Sequence, residues 1–218
     1  MEGSKILQKT IKLEPHIESC ARDEYFITTS NRPAYEAMFL ERIGILPYIN
    51  FLIIEGGRFS GKTSLSDLYM SSKDCVLACN LSDVLDKMGA SYVIDDCDKW
   101  QENDLFHAIN FCYEQKASLL LFAALSWKPS LPDLSSRINS IKQVDIQDPD
   151  DEMLEIVIAS EFSKRSIAVN KEIISYLKMR VPRNFARIKE VIKGIDEFCL
   201  ESKKNITIKT LSNFLSSK

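Results

Sequence analysis

Apolar positions along the chain alternate between two periods. Short, near-continuous apolar runs at Asn50–Glu55 (NFLIIE), Cys75–Cys79 (CVLAC), Ser91–Ile94 (SYVI), Ser118–Ala124 (SLLLFAA) and Ile141–Ile146 (IKQVDI) predict strands. Helical spacing over Pro33–Ile43, from Lys62 to about Ser71, and over 81–88 and 102–116 predicts helices between them. The first has Asn31 as its expected cap and proline in its first turn. Strands apolar enough for burial on both faces, alternating with helices, imply a parallel sheet covered on both sides. After Asp148-Pro149 only helical spacing remains, over Asp150–Phe162, Asn170–Met179, Arg183–Leu200 and Ile208–Leu215. Pro182 separates the second of these from the third. The chain therefore divides into a polar tail (1–24), an α/β lobe (25–148) and a small helical lobe (149–218).

Composition narrows the class. With 218 residues, 45% hydrophobic and a formal net charge of −3, the chain has enough apolar content to exclude global disorder. Its longest apolar run, Ser118–Leu125, is too short to cross a bilayer, and MEGSKILQKT carries no apolar signal core. A soluble, cytoplasmic protein without membrane partners is expected. The six cysteines include no CxxC pair, and only His16 and His107 could complete a metal site, so reduced thiols are expected rather than zinc ligands. His107 lies in an amphipathic stretch and reads as packed or solvent-facing. Residues 1–149 hold 15 Lys+Arg against 21 Asp+Glu, and residues 150–218 hold 13 against 10. Such an acidic balance disfavours an autonomous duplex-DNA binder. The basic C-terminal part is either a phosphate or partner contact or a solvated helical face.

Two motifs carry chemistry. Gly56-Gly57-Arg58-Phe59-Ser60-Gly61-Lys62-Thr63 matches GxxxxGK[ST] between a predicted strand and a predicted helix, with Ser64 next in line. Glycines let such a loop turn its N–H groups and the helix N-terminus towards phosphate oxygens. Lys62 would reach the β- and γ-phosphates, and the Thr63 hydroxyl would ligate Mg²⁺. The plainer alternative is a glycine turn before a helix. Tyr92-Val93-Ile94-Asp95-Asp96 places two acids at a strand's C-terminal end. There Asp95 would hold Mg²⁺, through water, and Asp96 would orient or deprotonate an attacking water; the alternative is an acidic helix cap. Asp98 lies past the strand end.

These motifs, with YFITTSNRPAY (Tyr25–Tyr35), VIDDCDKW, LPDLSSR (Leu131–Arg137) and the Arg183-containing helix, resemble the DnaA-type AAA+ ATPases over roughly residues 24–216. The resemblance implies an AAA+ P-loop NTPase with a five-stranded sheet in order 5-1-4-3-2 and a helical lid. It implies ADP or ATP with Mg²⁺ as ligands, and base contacts from Tyr25–Asn31, including Phe26 and Ile27, largely through backbone groups. Arg137 matches the family's arginine finger, which enters a neighbouring subunit's site. Arg183 matches the sensor-2 arginine at the start of a lid helix; Arg180 and Arg187 are its neighbours. Sensor 1 departs from the pattern: Ala124-Leu125-Ser126-Trp127-Lys128 leaves only Ser126, which brings no charge, so feeble intrinsic hydrolysis is expected.

The family's helix-turn-helix DNA-binding domain has no counterpart, so sequence-specific DNA binding is not expected. LFHAINFCYEQ, PDLSSR and IQDPDDEML are more similar to the Hda-type regulators that inactivate DnaA. In the tail, Gln8, Ile11 and Leu13 resemble the peptide by which such proteins bind the DNA polymerase III sliding clamp, two apolar anchors with a register-setting amide. The implied partners are DnaA, the clamp and further copies of the chain. Three readings remain: a regulator acting on DnaA–ATP, a DnaA/DnaC-like ATPase or helicase loader using its own hydrolysis, and an adaptor whose nucleotide is structural.

Overall fold

The structure is a computed structural model that describes residues 25–39, 51–87 and 91–216. Gln8, Ile11 and Leu13 of the predicted clamp peptide lie outside these residues. Helix α1 spans Arg32–Phe39, and the rest of its predicted span also lies outside. Strands β1 (Phe51–Gly56), β2 (Val76–Leu77), β3 (Ser91–Ile94), β4 (Ser118–Ala124) and β5 (Lys142–Ile146) alternate with α2 (Lys62–Ser72), α3 (Leu81–Leu85), α4 (Glu102–Glu114) and α5 (Pro132–Ser140). Helices α6 (Asp151–Ser163), α7 (Lys171–Lys178), α8 (Phe185–Ser202) and α9 (Ile208–Ser216) follow.

The five strands form one parallel sheet in the order β2-β3-β4-β1-β5, the 5-1-4-3-2 order read from the other edge. Its registers pair Ile53 with Leu121, Ile54 with Phe122 and Val93 with Leu120. Because side chains alternate across a strand, neighbouring residues feed two separate cores. Ile53, Tyr92, Ile94, Leu119 and Leu121 pack under Leu105 and Ile109 of α4 and Leu134 and Ile138 of α5. Ile54, Val93, Leu120 and Phe122 pack under Met38 of α1 and Leu65 and Tyr69 of α2. The C-terminal helices bury a core of their own, built on Leu154, Phe162, Leu177, Ile188, Ile192 and Leu211.

Three differences from the sequence reading have local causes. β2 is two residues long rather than five, because Asp83 Oδ2 takes the Cys79 N–H at 2.7 Å and closes a capping box on α3 with Asn80. Helix α5 is unforeseen; its only buried residues are Leu134 and Ile138, too sparse a pattern to read. It is held at its start by Glu102, whose carboxylate accepts from Ser130 N at 2.7 Å and Leu131 N at 2.6 Å. In the C-terminal part, Asp150, Asn170 and Asn184 are caps rather than helical residues, accepting from Met153, Ile173 and Arg187 N–H. Arg183 therefore precedes α8 instead of starting it.

Candidate nucleotide-binding site

β1 ends in a loop whose shape depends on two glycines. A Cβ on Gly56 would lie 2.4 Å from Ser60 Oγ, so a side chain here would turn that hydroxyl out of its place in the loop. Gly61, at φ +97°, occupies the left-handed region just before α2, where a Cβ would also meet the Phe185 ring at 3.4 Å. Ser60 Oγ is buried without a hydrogen-bond partner, and burying an unmatched hydroxyl is costly. Lys62 folds back so that its Nζ donates to the carbonyls of Gly56 at 2.7 Å and Gly57 at 3.0 Å. An orphaned hydroxyl, a glycine cradle, a helix N-terminus and a lysine together suit an anionic polyphosphate.

The sheet order brings β3 to the same edge, two strands from β1. Thr63 Oγ1 on α2 donates to Asp95 Oδ2 at 2.9 Å across 32 residues of sequence. These adjacent hard oxygen donors suit Mg²⁺. Asp96, at φ +52°, donates its N–H to Asp95 Oδ1 and pairs through its carboxylate with Lys99. Asp98 instead accepts the Ala124 N–H at 3.0 Å, tying the end of β4 to the turn after β3. Burial chiefly, and then the surrounding Asp98, Glu55, Asp96 and Asp95 carboxylates, push the buried Cys97 thiol up, so it stays protonated and inert.

Glu55 is a site residue that the sequence reading passed over. Buried at the end of β1, it accepts the Ser126 N–H at 3.1 Å, while Leu125 N donates to Gly56 O at 3.1 Å. The segment after β4 is thus fastened to the start of the phosphate loop through its backbone, with Ser126 exposed at φ +59°. An acid inside an apolar strand run, directly before the glycines, was the available signal.

An open cleft continues from the loop, lined by Tyr25, Phe26, Asn31, Ser60, Gly61 and Ser64 on one side and by Met153, Val157, Phe185 and Lys189 of the C-terminal helices on the other. Asn31 opens α1 with its carbonyl, which accepts the Tyr35 N–H at 3.1 Å, but its side chain does not cap the helix. Its Oδ1 accepts the Thr28 N–H, and its Nδ2 donates to Tyr25 Oη and the Phe26 carbonyl, bracing this wall of the cleft. Burial raises the Tyr25 phenol to about 12 against the opposing Asn31 hydrogen bond, so it stays neutral. Ile27 is 4% exposed and belongs to the interior. Asp150 joins the two walls, accepting from Thr29 Oγ1 at 2.7 Å, Ser30 N at 3.1 Å and Met153 N at 2.7 Å. Burial raises its pKa, but these hydrogen bonds outweigh that and leave it lowered.

The two arginines are held by groups outside the loop. Arg183 donates to the Pro149 carbonyl at 2.9 Å and pairs with Asp151. Arg137 lies in the last turn of α5, exposed, its guanidinium 5.6 Å from the Tyr113 ring centre. Tyr113 in turn packs edge-on against Phe51, the first residue of β1, at 6.2 Å. Arg137 is therefore at the edge where β1 begins, about 17 Å of strand away from Gly56.

Known structures share this fold. Domain III of the Thermotoga maritima replication initiation protein DnaA matches with a TM-score of 0.66 over 88% of this chain and 93% of that one, at 19% identity. AMPPCP-bound DnaA from Aquifex aeolicus matches at 0.60, with 20% identity over 81% of this chain and 65% of that one. The Thermotoga maritima RuvB Holliday junction branch migration motor matches at 0.60, with 15% identity over 77% and 61%. The chain has the AAA+ P-loop fold. It spans nearly all of the isolated DnaA domain but only about two thirds of the longer DnaA chain. No family model matches the sequence, and no curated protein matches it. Among the described residues, no helix is long and apolar enough to cross a membrane, and no three or more His, Cys, Asp or Glu side chains gather into a metal site.

Proposed function

We propose that the chain is an Hda-like regulator of replication initiation. It binds ADP or ATP with Mg²⁺, docks on the sliding clamp through Gln8, Ile11 and Leu13, and promotes hydrolysis of the ATP held by DnaA. The placement of Arg137 carries this reading: an exposed guanidinium at the edge of the sheet opposite its own phosphate loop serves a neighbour's nucleotide and not its own. In that neighbour's site it offsets charge developing on the transferred phosphoryl oxygens. The fold shared with DnaA domain III supports a role in initiation and assembly among like subunits, including further copies of this chain.

In its own site the protein binds more than it turns over. Gly56, Gly57, Ser60, Gly61 and Ser64 form the phosphate cradle, Lys62 neutralises charge there, and Thr63 with Asp95 holds the cation. Tyr25, Phe26 and the Asn31-braced segment receive the base. Bound nucleotide supplies the phosphate charge against which the lid closes. Asp96 is positioned to order water, but Lys99 holds its carboxylate. Ser126 offers only a neutral hydroxyl beside a backbone fixed by Glu55. A self-acting ATPase or helicase loader is the second reading, and the assembled Thr63–Asp95 pair favours it over a pure adaptor.

One assay separates these readings: hydrolysis of DnaA–ATP with this protein, clamp and DNA, each omitted in turn. The regulator reading requires loss of hydrolysis whenever this protein or the clamp is left out. Rapid ATP turnover by the protein alone would transfer the function to its own site. A cytoplasmic location follows from either reading.

A further inference from the structure

We infer that Asp151 is a positioning residue that holds Arg183 away from the phosphate loop until a nucleotide polyphosphate draws it across. The inference rests on the nucleotide-site reading above and adds a built-in competitor to it. Arg183 is engaged at two points, by the Pro149 carbonyl at 2.9 Å and by the Asp151 carboxylate. Asp151 also faces Lys178 Nζ at 3.6 Å, and Lys178 binds Glu155 at 2.5 Å, so Asp151 keeps a cationic neighbour when Arg183 leaves.

The segment that carries the arginine packs against the loop. Phe185, two residues on, places its ring where a Cβ at Gly61 would touch it at 3.4 Å. The resting pair is also weak enough to yield, because Arg183 and Asp151 are 51% and 61% exposed and exposed ion pairs contribute little. A polyphosphate held at a helix N-terminus offers paired anionic oxygens to the planar guanidinium, a stronger match than one solvated carboxylate. Nucleotide binding therefore includes the cost of breaking the Asp151 contact. The segment before α8 exchanges its link to the start of α6 for one to the ligand.

Asp151→Asn tests this by removing the competing charge at nearly constant shape. ADP and ATP affinities, read by calorimetry, should rise about two- to fivefold, the equivalent of one exposed ion pair. Adenosine affinity should not change, because the released arginine acts on phosphate. In an Arg183→Ala background the same substitution should have no effect, since the two act as one pair. Asp151→Ser, which keeps an oxygen at the helix N-terminus, should repeat the gain if the amide disturbs α6. Unchanged or weakened ADP binding in both variants would overturn the inference, and so would a gain that persists without Arg183 or extends to adenosine. Lys62→Ala, measured alongside, isolates the underlying site: if it loses ADP while Asp151→Asn is silent, the nucleotide site stands and the latch does not exist.

Discussion

The two edges of the sheet are built for opposite tasks. At the edge where the strands end, Lys62 bonds the Gly56 carbonyl, Thr63 bonds Asp95, and buried Glu55 ties the neighbouring loop to the same end. At the edge where β1 begins, Arg137 lies exposed over Tyr113, with no phosphate-binding group of its own chain beside it among the described residues. Parallel strands explain the contrast. All five C-terminal ends emerge on one side, so loops following β1, β3 and β4 meet there. A residue that follows β4 but travels back along α5 is delivered to the other side. In the proposed function, one edge forms the chain's own site and the other offers Arg137 to a neighbour.

The largest effect should come from the isolated edge. Arg137→Ala should leave folding and ADP binding intact yet remove about 10³–10⁵ in the stimulated rate of DnaA–ATP hydrolysis. Arg137→Lys should not restore it, because an ammonium lacks the planar fork. Undiminished stimulation by Arg137→Ala would erase the distinction between the edges. At the converging edge, Lys62→Ala removes a charge-assisted contact worth about 1.5–3 kcal/mol. ADP affinity by calorimetry should fall about ten- to a hundredfold, with the melting temperature of the nucleotide-free protein nearly unchanged.

A smaller effect belongs to the loop's shape. Gly61→Ala forces a side chain into a left-handed conformation and against Phe185, costing about 1–2 kcal/mol in denaturant unfolding. A substitution without cost would mean the loop relaxes freely and does not preform the cradle. The smallest concerns pH and the link between the cleft walls. The Asp150 pKa is lowered in the fold, so its contribution is full above the unfolded value of about 3.9 and vanishes as pH falls through the folded value. Thermal melts stepped from pH 6 to pH 3 should lose stability over that window, and Asp150→Asn should lose less of it.

Legibility in the sequence followed distance along the chain. The phosphate loop is eight contiguous residues between a strand and a helix, and the Asp95-Asp96 pair ends a four-residue apolar strand. Local rules suffice for both, since turn chemistry and apolar period need no partner elsewhere. The same rules overextended β2, where a side chain four residues on captured a backbone donor, and overlooked α5, whose buried face is two residues wide. They also assigned Asn31 to a helix cap, although its amide turns back to Thr28, Tyr25 and Phe26.

The sequence alone thus determined the parallel α/β lobe, the change to helices after residue 148, and the glycine loop and acid pair proposed to meet phosphate and magnesium. Only the tertiary structure decided which distant groups share them. Glu55 meets Ser126 across 71 residues, Thr29 meets Asp150 across 121, and Arg183 meets Asp151 across 32. Such pairings depend on strand order and on how the C-terminal helices seat against the sheet. Hydrophobic period records that a residue is buried or exposed, but says nothing of which partner the packing sets before it.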